Sequence, residues 1–88
     1  MIFIGLAKWR KKPTKDMIAQ SSKLFEQMTK EGFKILGVYW TLGRYDTVVI
    51  TEGPNEKAIM KSLMRWGDIV STETLVAVSR EEALKLVE

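Results

Sequence analysis

The sequence predicts an α+β domain in the order strand, helix, strand, strand, helix, strand, with two long helices covering one face of a four-stranded antiparallel sheet. Three observations predict it. Apolar residues recur at three- and four-residue spacing in two segments, Met17 to Met28 and Ala58 to Trp66. Four segments rich in β-branched and aromatic residues flank and separate them. Between the middle two stands Gly43-Arg44, a two-residue loop suited to a tight hairpin. This order is the split βαβ arrangement of ferredoxin-like domains, and right-handed crossovers bring both helices to the same face. The 88 residues hold one such domain, residues 1–88, with no room for a second core.

The first strand runs from Met1 to Trp9, with Ile2, Ile4 and Leu6 alternating against Met1, Phe3 and Ala7. Pro13 punctuates the chain, and Thr14 is placed to cap the first helix, with Asp16 where the helix dipole favours a carboxylate. Met17, Ile18, Ser21, Leu24, Phe25 and Met28 form its apolar stripe, and Gly32 closes it in a left-handed conformation. Phe33–Leu42 and Tyr45–Glu52 form the hairpin. A type II′ turn takes glycine at its first central position, and the resulting register sets Leu42 against Tyr45, Thr41 against Asp46, Trp40 against Thr47 and Tyr39 against Val48.

Gly53-Pro54-Asn55 breaks the strand and starts the second helix, with Pro54 in its first turn. Ala58, Ile59, Leu63 and Trp66 share one face, and Gly67 ends the helix. Asp68–Ser79 is the last strand. Ser79 then caps a short acidic helix through a capping box with Glu82.

Composition narrows the chemistry. Without cysteine there is no disulfide, thiol nucleophile or thiolate metal site, and without histidine the commonest general base and transition-metal ligand are missing. No catalytic residue, metal site or cofactor is assigned. No apolar run reaches the roughly 18–20 residues of a membrane-crossing helix. The apolar start precedes its basic residues, the reverse of a secretory signal, so a cytoplasmic location is expected. The net charge of +3 rests largely on Lys8, Arg10, Lys11, Lys12 and Lys15, a cluster read chiefly as a solvated loop and secondarily as an anion-contacting patch. Trp9 is its only aromatic residue, which is poor provision for stacking nucleic-acid bases.

The hairpin is apolar on both sides. One face carries Ile35, Gly37, Tyr39 and Thr41 with Asp46, Val48 and Ile50; the other carries Leu36, Val38, Trp40 and Leu42 with Tyr45, Thr47 and Val49. A sheet with one solvated face should alternate apolar with polar. One face therefore needs a cover that two helices on the other side cannot supply, and the simplest cover is a second copy related by two-fold symmetry. Trp40 falls on the face assigned to the partner, as an interface residue or pocket wall. The rival cover is the chain's own ends or third helix.

The run Val38-Tyr39-Trp40-Thr41-Leu42-Gly43-Arg44-Tyr45-Asp46 resembles the signature of the GYD family of small prokaryotic proteins, with Gly43, Tyr45 and Asp46 as its named residues. Gly32 and the threonine-rich Ser71-Thr72-Glu73-Thr74-Leu75 agree, and Glu52-Gly53-Pro54 is similar to the family's Glu-Ala-Pro with glycine replacing alanine. The resemblance spans roughly residues 32 to 79. It implies a ferredoxin-like domain akin to dimeric α/β-barrel proteins and a family without an established activity.

Two readings of the motif follow. In the structural one, Gly43 makes the turn, Asp46 takes the Thr41 hydroxyl or caps the turn's amides, and Tyr39, Trp40 and Tyr45 pack across strands. In the functional one, Tyr39, Trp40, Arg44, Tyr45, Asp46 and Glu73 line a ligand pocket, with Arg44 as an anion clamp. Glu73, mid-strand, is either an edge-strand charge that deters aggregation or a carboxylate directed at a partner or cavity.

The expected function is an oligomeric small-molecule-binding or assembly module, with a second copy and a small ligand as partners. The alternative is a cofactor-independent, oxygenase-like enzyme of the dimeric α/β-barrel type. RNA binding through the open sheet ranks last, because its central strands lack exposed aromatics beside basic residues.

Overall fold

A computed structural model describes residues 1–87. Its elements are β1 (Ile2–Trp9), α1 (Lys15–Lys30), β2 (Lys34–Trp40), β3 (Thr47–Glu52), α2 (Glu56–Trp66), β4 (Val70–Ala77) and α3 (Arg80–Leu84), followed by a 3₁₀ turn at Lys85–Val87. The strands form one antiparallel sheet in the order β2-β3-β1-β4, with both long helices on one face, so the ferredoxin-like order expected from the sequence is present.

Local chemistry sets the element ends. Thr14 Oγ1 accepts from the Met17 amide at 3.2 Å and starts α1. At the far end Gly32 takes φ +97°, a conformation that suits a residue without Cβ. Its amide donates to Thr29 O and the Phe33 amide donates to Met28 O, which is the Schellman pattern. Phe33 and Met28 then share one buried cluster with Phe3 and Ile59. Asn55 caps α2 by accepting from the Ala58 amide at 2.9 Å, and Pro54 lies before the helix instead of inside its first turn. Gly53 stands where a Cβ would meet the Phe33 ring at 2.3 Å, so glycine here makes room for that ring. A second cluster of Ala7, Ile69 and Val70 holds the other end of the fold, and Trp66 packs against both. Ser79 caps α3 through the Glu82 amide.

The hairpin departs from the expected geometry in two places. The register Trp40↔Thr47 and Tyr39↔Val48 is as expected, but the ladder stops there, and residues 41–46 form a six-residue connection that excludes a Leu42–Tyr45 strand pair. Further along, Ile35 pairs with Thr51 while Gly37 pairs with Ile50, so Leu36 is an extra residue in a β-bulge. The bulge turns Ile35 toward the helices, against Phe33 and its neighbours, and breaks the expected face shared by Ile35, Gly37 and Tyr39.

Following the pairs across the sheet assigns its faces. Phe3, Gly5, Ala7, Trp9, Val38, Trp40, Thr47, Val49, Thr51, Val70, Thr72 and Thr74 look toward the helices. Trp40 is therefore on the helix side, opposite Thr47, and its placement on the partner-covered face is corrected; the strand period sends Tyr39, one residue earlier, to the bare face. That bare face carries Ile4, Leu6, Val48, Ile50, Tyr39 and Leu75. The tail does not roof it: Leu86 and Val87 are 80% and 82% exposed.

Arg65 of α2 grips Glu31, at the end of α1, through both guanidinium nitrogens, one of them at 2.9 Å. This bidentate contact holds the Glu31 carboxyl below its ordinary 4.5, chiefly through the hydrogen bond and secondarily through the guanidinium charge against an opposing desolvation. A depressed carboxyl pKa contributes stability above the unfolded value, which is lost as the pH falls through the folded value. Glu31→Gln should lower the melting temperature by a few degrees at neutral pH, with the gap from wild type closing in acid below the folded value; thermal melts across pH read both.

Candidate functional site

Asp46 is the hinge of the site. Its amide donates to Ala7 O at 2.8 Å, and its Oδ2 accepts from the Trp9 amide at 2.8 Å. β3 has no residue paired with Trp9, whose amide on that side would otherwise lack a strand partner, and the carboxylate stands in for the missing carbonyl. The expected bond from the Thr41 hydroxyl to Asp46 is not formed. Thr41 Oγ1 donates instead to Tyr45 O at 2.7 Å, while the Thr41 amide donates to Asp46 O. Gly43 takes φ +108°, the positive value its turn position requires.

This clamp sends neighbouring side chains to opposite sides. Tyr45 reaches across β1, its hydroxyl donating to Glu73 Oε2 of β4 at 2.5 Å. Lys8 Nζ and the Arg44 guanidinium lie 5.9 and 5.7 Å from the centre of its ring, within cation–π range. The bond to Glu73 raises the Tyr45 pKa above its ordinary value, helped by burial and the carboxylate charge and opposed by Arg44. Tyr45 is thus a proton-holding donor at neutral pH and a poor base. Glu73 is an exposed residue of an edge strand with a partner side chain, so its charge both guards the edge and orders Tyr45.

On the helix side Trp40 meets Trp9 edge to face, with ring centres 5.4 Å apart. Both line a cavity of about 130 Å³ between the sheet and the helices. Tyr39, Arg44, Tyr45, Asp46 and Glu73 do not line it. The six residues picked from the sequence are therefore not one pocket. Trp40 belongs to the cavity, Arg44, Tyr45 and Glu73 to a polar cluster with Lys8, and Asp46 to the backbone between them. Tyr39 is 56% exposed on the bare face, with its ring over Gly37. Sequence reasoning missed Lys8 as a partner of Tyr45, and Gly5 and the threonines as cavity residues. Threonines at 47 and 51, either side of Val49, and at 72 and 74, with a glycine inside an apolar strand, were the available signals. Among the described residues no group of three acidic residues is placed to hold a metal ion, and no helix is long and apolar enough to cross a membrane.

A family model described as the GYD domain matches residues 3–87. Solved structures with similar folds include SCO4226 from Streptomyces coelicolor A3(2), at TM-score 0.57 and 16% identity, covering 88% of this chain and 98% of that one. The protein YJCS matches at TM-score 0.55 and 16% identity over 89% and 98%. A structure from Thermobifida fusca YX, described as a dimeric ferredoxin-like protein of unknown function, matches at 0.50 and 15% over 86% and 89%. At such identities these likenesses show the fold. A search of curated proteins finds no match.

Asp46→Leu should cost about 1–2 kcal/mol by stranding the Trp9 amide, and Asp46→Asn, which keeps an acceptor, should cost about half as much. Chemical denaturation of the two variants compares them; equal losses would show that the Trp9 contact is not what Asp46 contributes.

Proposed function

The chain belongs to the GYD domain family, and we propose that this member is a self-associating module that binds a small molecule without transforming it, two copies meeting through their bare sheet faces. The bare face carries the proposal. The chain exposes 6504 Å², against roughly 5,300 Å² for a compact monomer of its mass. The excess, on the order of 1,200 Å², is more than the about 800 Å² that each partner contributes to a standard interface. Part of it lies in Leu75 and Tyr39, which are 43% and 56% exposed. The description of the Thermobifida structure as dimeric fits the same reading.

In this arrangement Tyr39 joins the interface, and Arg44, Tyr45 and Glu73 form a polar rim at one end of it. Trp40 serves as a wall for the ligand on the opposite side of the sheet, and Asp46 keeps the two sides in register. The oxygenase-like alternative needs a group to take a proton from substrate. Glu73 holds the Tyr45 proton in place and raises its pKa, which favours binding over turnover. A cytoplasmic setting suits a chain that uses no disulfides.

Light scattering should give twice the 10.1 kDa chain mass at micromolar concentration. Leu75→Lys, an exposed position in the single chain, should weaken association by at least ~30-fold, about 2 kcal/mol, by setting a charge in the apolar interface. A monomeric wild type would refute the reading.

A further inference from the structure

The cavity has a floor, walls and polar points that together select a ligand class. Its floor is a dent at Gly5, whose registered neighbours are Val49 on β3 and Thr74 on β4. A Cβ at Gly5 would meet nothing within 4 Å except Val49 O at 3.7 Å, so the space above it is open. Phe3 and Ala7, two residues away on the same strand and face, are buried at 1% and 6% and bound the dent lengthwise. The walls are aromatic: Trp9 against Trp40 on one side, and Phe25 against Trp66, with ring centres 4.8 Å apart, on the other. Of the lining residues Ile18, Val38, Trp40 and Thr72 are also exposed, which marks the mouth.

Among the described residues no charged side chain lines the cavity. An ion would lose its hydration there without a counter-charge, so the occupant is neutral. Besides the indoles of its tryptophans, the cavity is lined by the hydroxyl residues Thr47, Thr51, Thr72 and Thr74 from the strands beside the dent, and by Ser21 from α1, whose hydroxyl already donates to Ile18 O. Thr74 Oγ1 is shut away from solvent and has no hydrogen-bond partner. A buried hydroxyl left so is a cost that a ligand oxygen can remove, and one rotamer step about Cα–Cβ carries that hydroxyl to the position its methyl now holds while the methyl moves to the place of the hydrogen. The volume of about 130 Å³ is close to the roughly 150 Å³ of an engineered apolar cavity that accepts benzene. It admits a single ring.

We propose that this cavity is a binding site for a neutral one-ring compound bearing one hydrogen-bonding oxygen, of the phenol class, with the ring between the aromatic walls and the oxygen at Thr74. The proposal rests on the ligand-binding half of the function above and specifies its ligand.

The test titrates phenol, benzene and benzoate into the full chain and follows backbone amide resonances. Phenol should give saturable shifts centred on Gly5, Val49 and Thr74, with benzene weaker and benzoate without effect. Thr74→Val should raise the melting temperature, weaken phenol by roughly 3–10-fold, the loss of one hydrogen bond, and leave benzene unchanged. Gly5→Val should abolish both. Should Gly5→Val fail to fold, Gly5→Ala, whose methyl meets only Val49 O, should still weaken phenol by roughly 4-fold. Shifts that do not saturate, benzoate binding as strongly as phenol, or phenol binding unchanged in the glycine variants would overturn the site and leave a cavity that holds water only. Light scattering on the same samples separates the two ideas: a dimer that ignores phenol removes the cavity assignment and leaves self-association standing.

Discussion

Two helices can cover one face of a four-stranded sheet, and in this chain that limit governs everything else. The molecule is 17 Å through its thinnest direction, the depth of one sheet and one helix layer. Burial is accordingly concentrated in a narrow seam: Phe3, Met28, Phe33 and Ile59 at one end, Ala7, Ile69 and Val70 at the other, with Trp66 touching both. The seam is incomplete at its centre, where β1 places Gly5 instead of a large side chain, and the cavity is the result. On the reverse side the same shortage leaves Leu75 exposed and Leu6 and Ile50 only half-buried.

The Gly43–Asp46 segment sits where these two surfaces meet and serves both. Just beyond the end of the β2–β3 ladder, Asp46 accepts from the Thr41 amide through its carbonyl while its own amide and carboxylate engage β1, through Ala7 and Trp9. That engagement holds Trp9 where its ring meets Trp40 on the helix side. It also starts Tyr45 on its path over the opposite face to Glu73. A short motif thus couples a pocket wall to a polar cluster through one carboxylate, and its residues differ in kind: a turn former, a hydrogen-bond donor and a backbone clamp.

Features set by near neighbours were legible in the sequence. Thr14 and Ser79 sit three residues before the amides they cap, and Gly32 stands where only an achiral residue is at ease with positive φ, whereas the cap at Asn55 displaced the expected start of the second helix, which had put Pro54 in its first turn. The hairpin register at Trp40 and Tyr39 is the one expected from a loop centred on Gly43-Arg44, although the connection is longer than two residues. The bulge at Leu36 was not legible, since an alternating apolar strand reads the same with or without one extra residue, and with it went the face of Ile35. The bond from Trp9 to Asp46 spans 37 positions and the bond from Tyr45 to Glu73 spans 28. No local pattern announces either, so the sequence did not show which of these residues the fold brings together.

Amino-acid order by itself determined the element sequence, the caps, the helix stripes and the presence of apolar side chains on both sides of the sheet, because each depends on periodicity or on contacts within a turn. Tertiary structure decided which side the helices took, where Trp40 went, and that Gly5 and Thr74 lie side by side over a cavity. Those outcomes depend on strands brought together from distant parts of the chain, and a one-residue bulge or a single side-chain clamp is enough to redirect them.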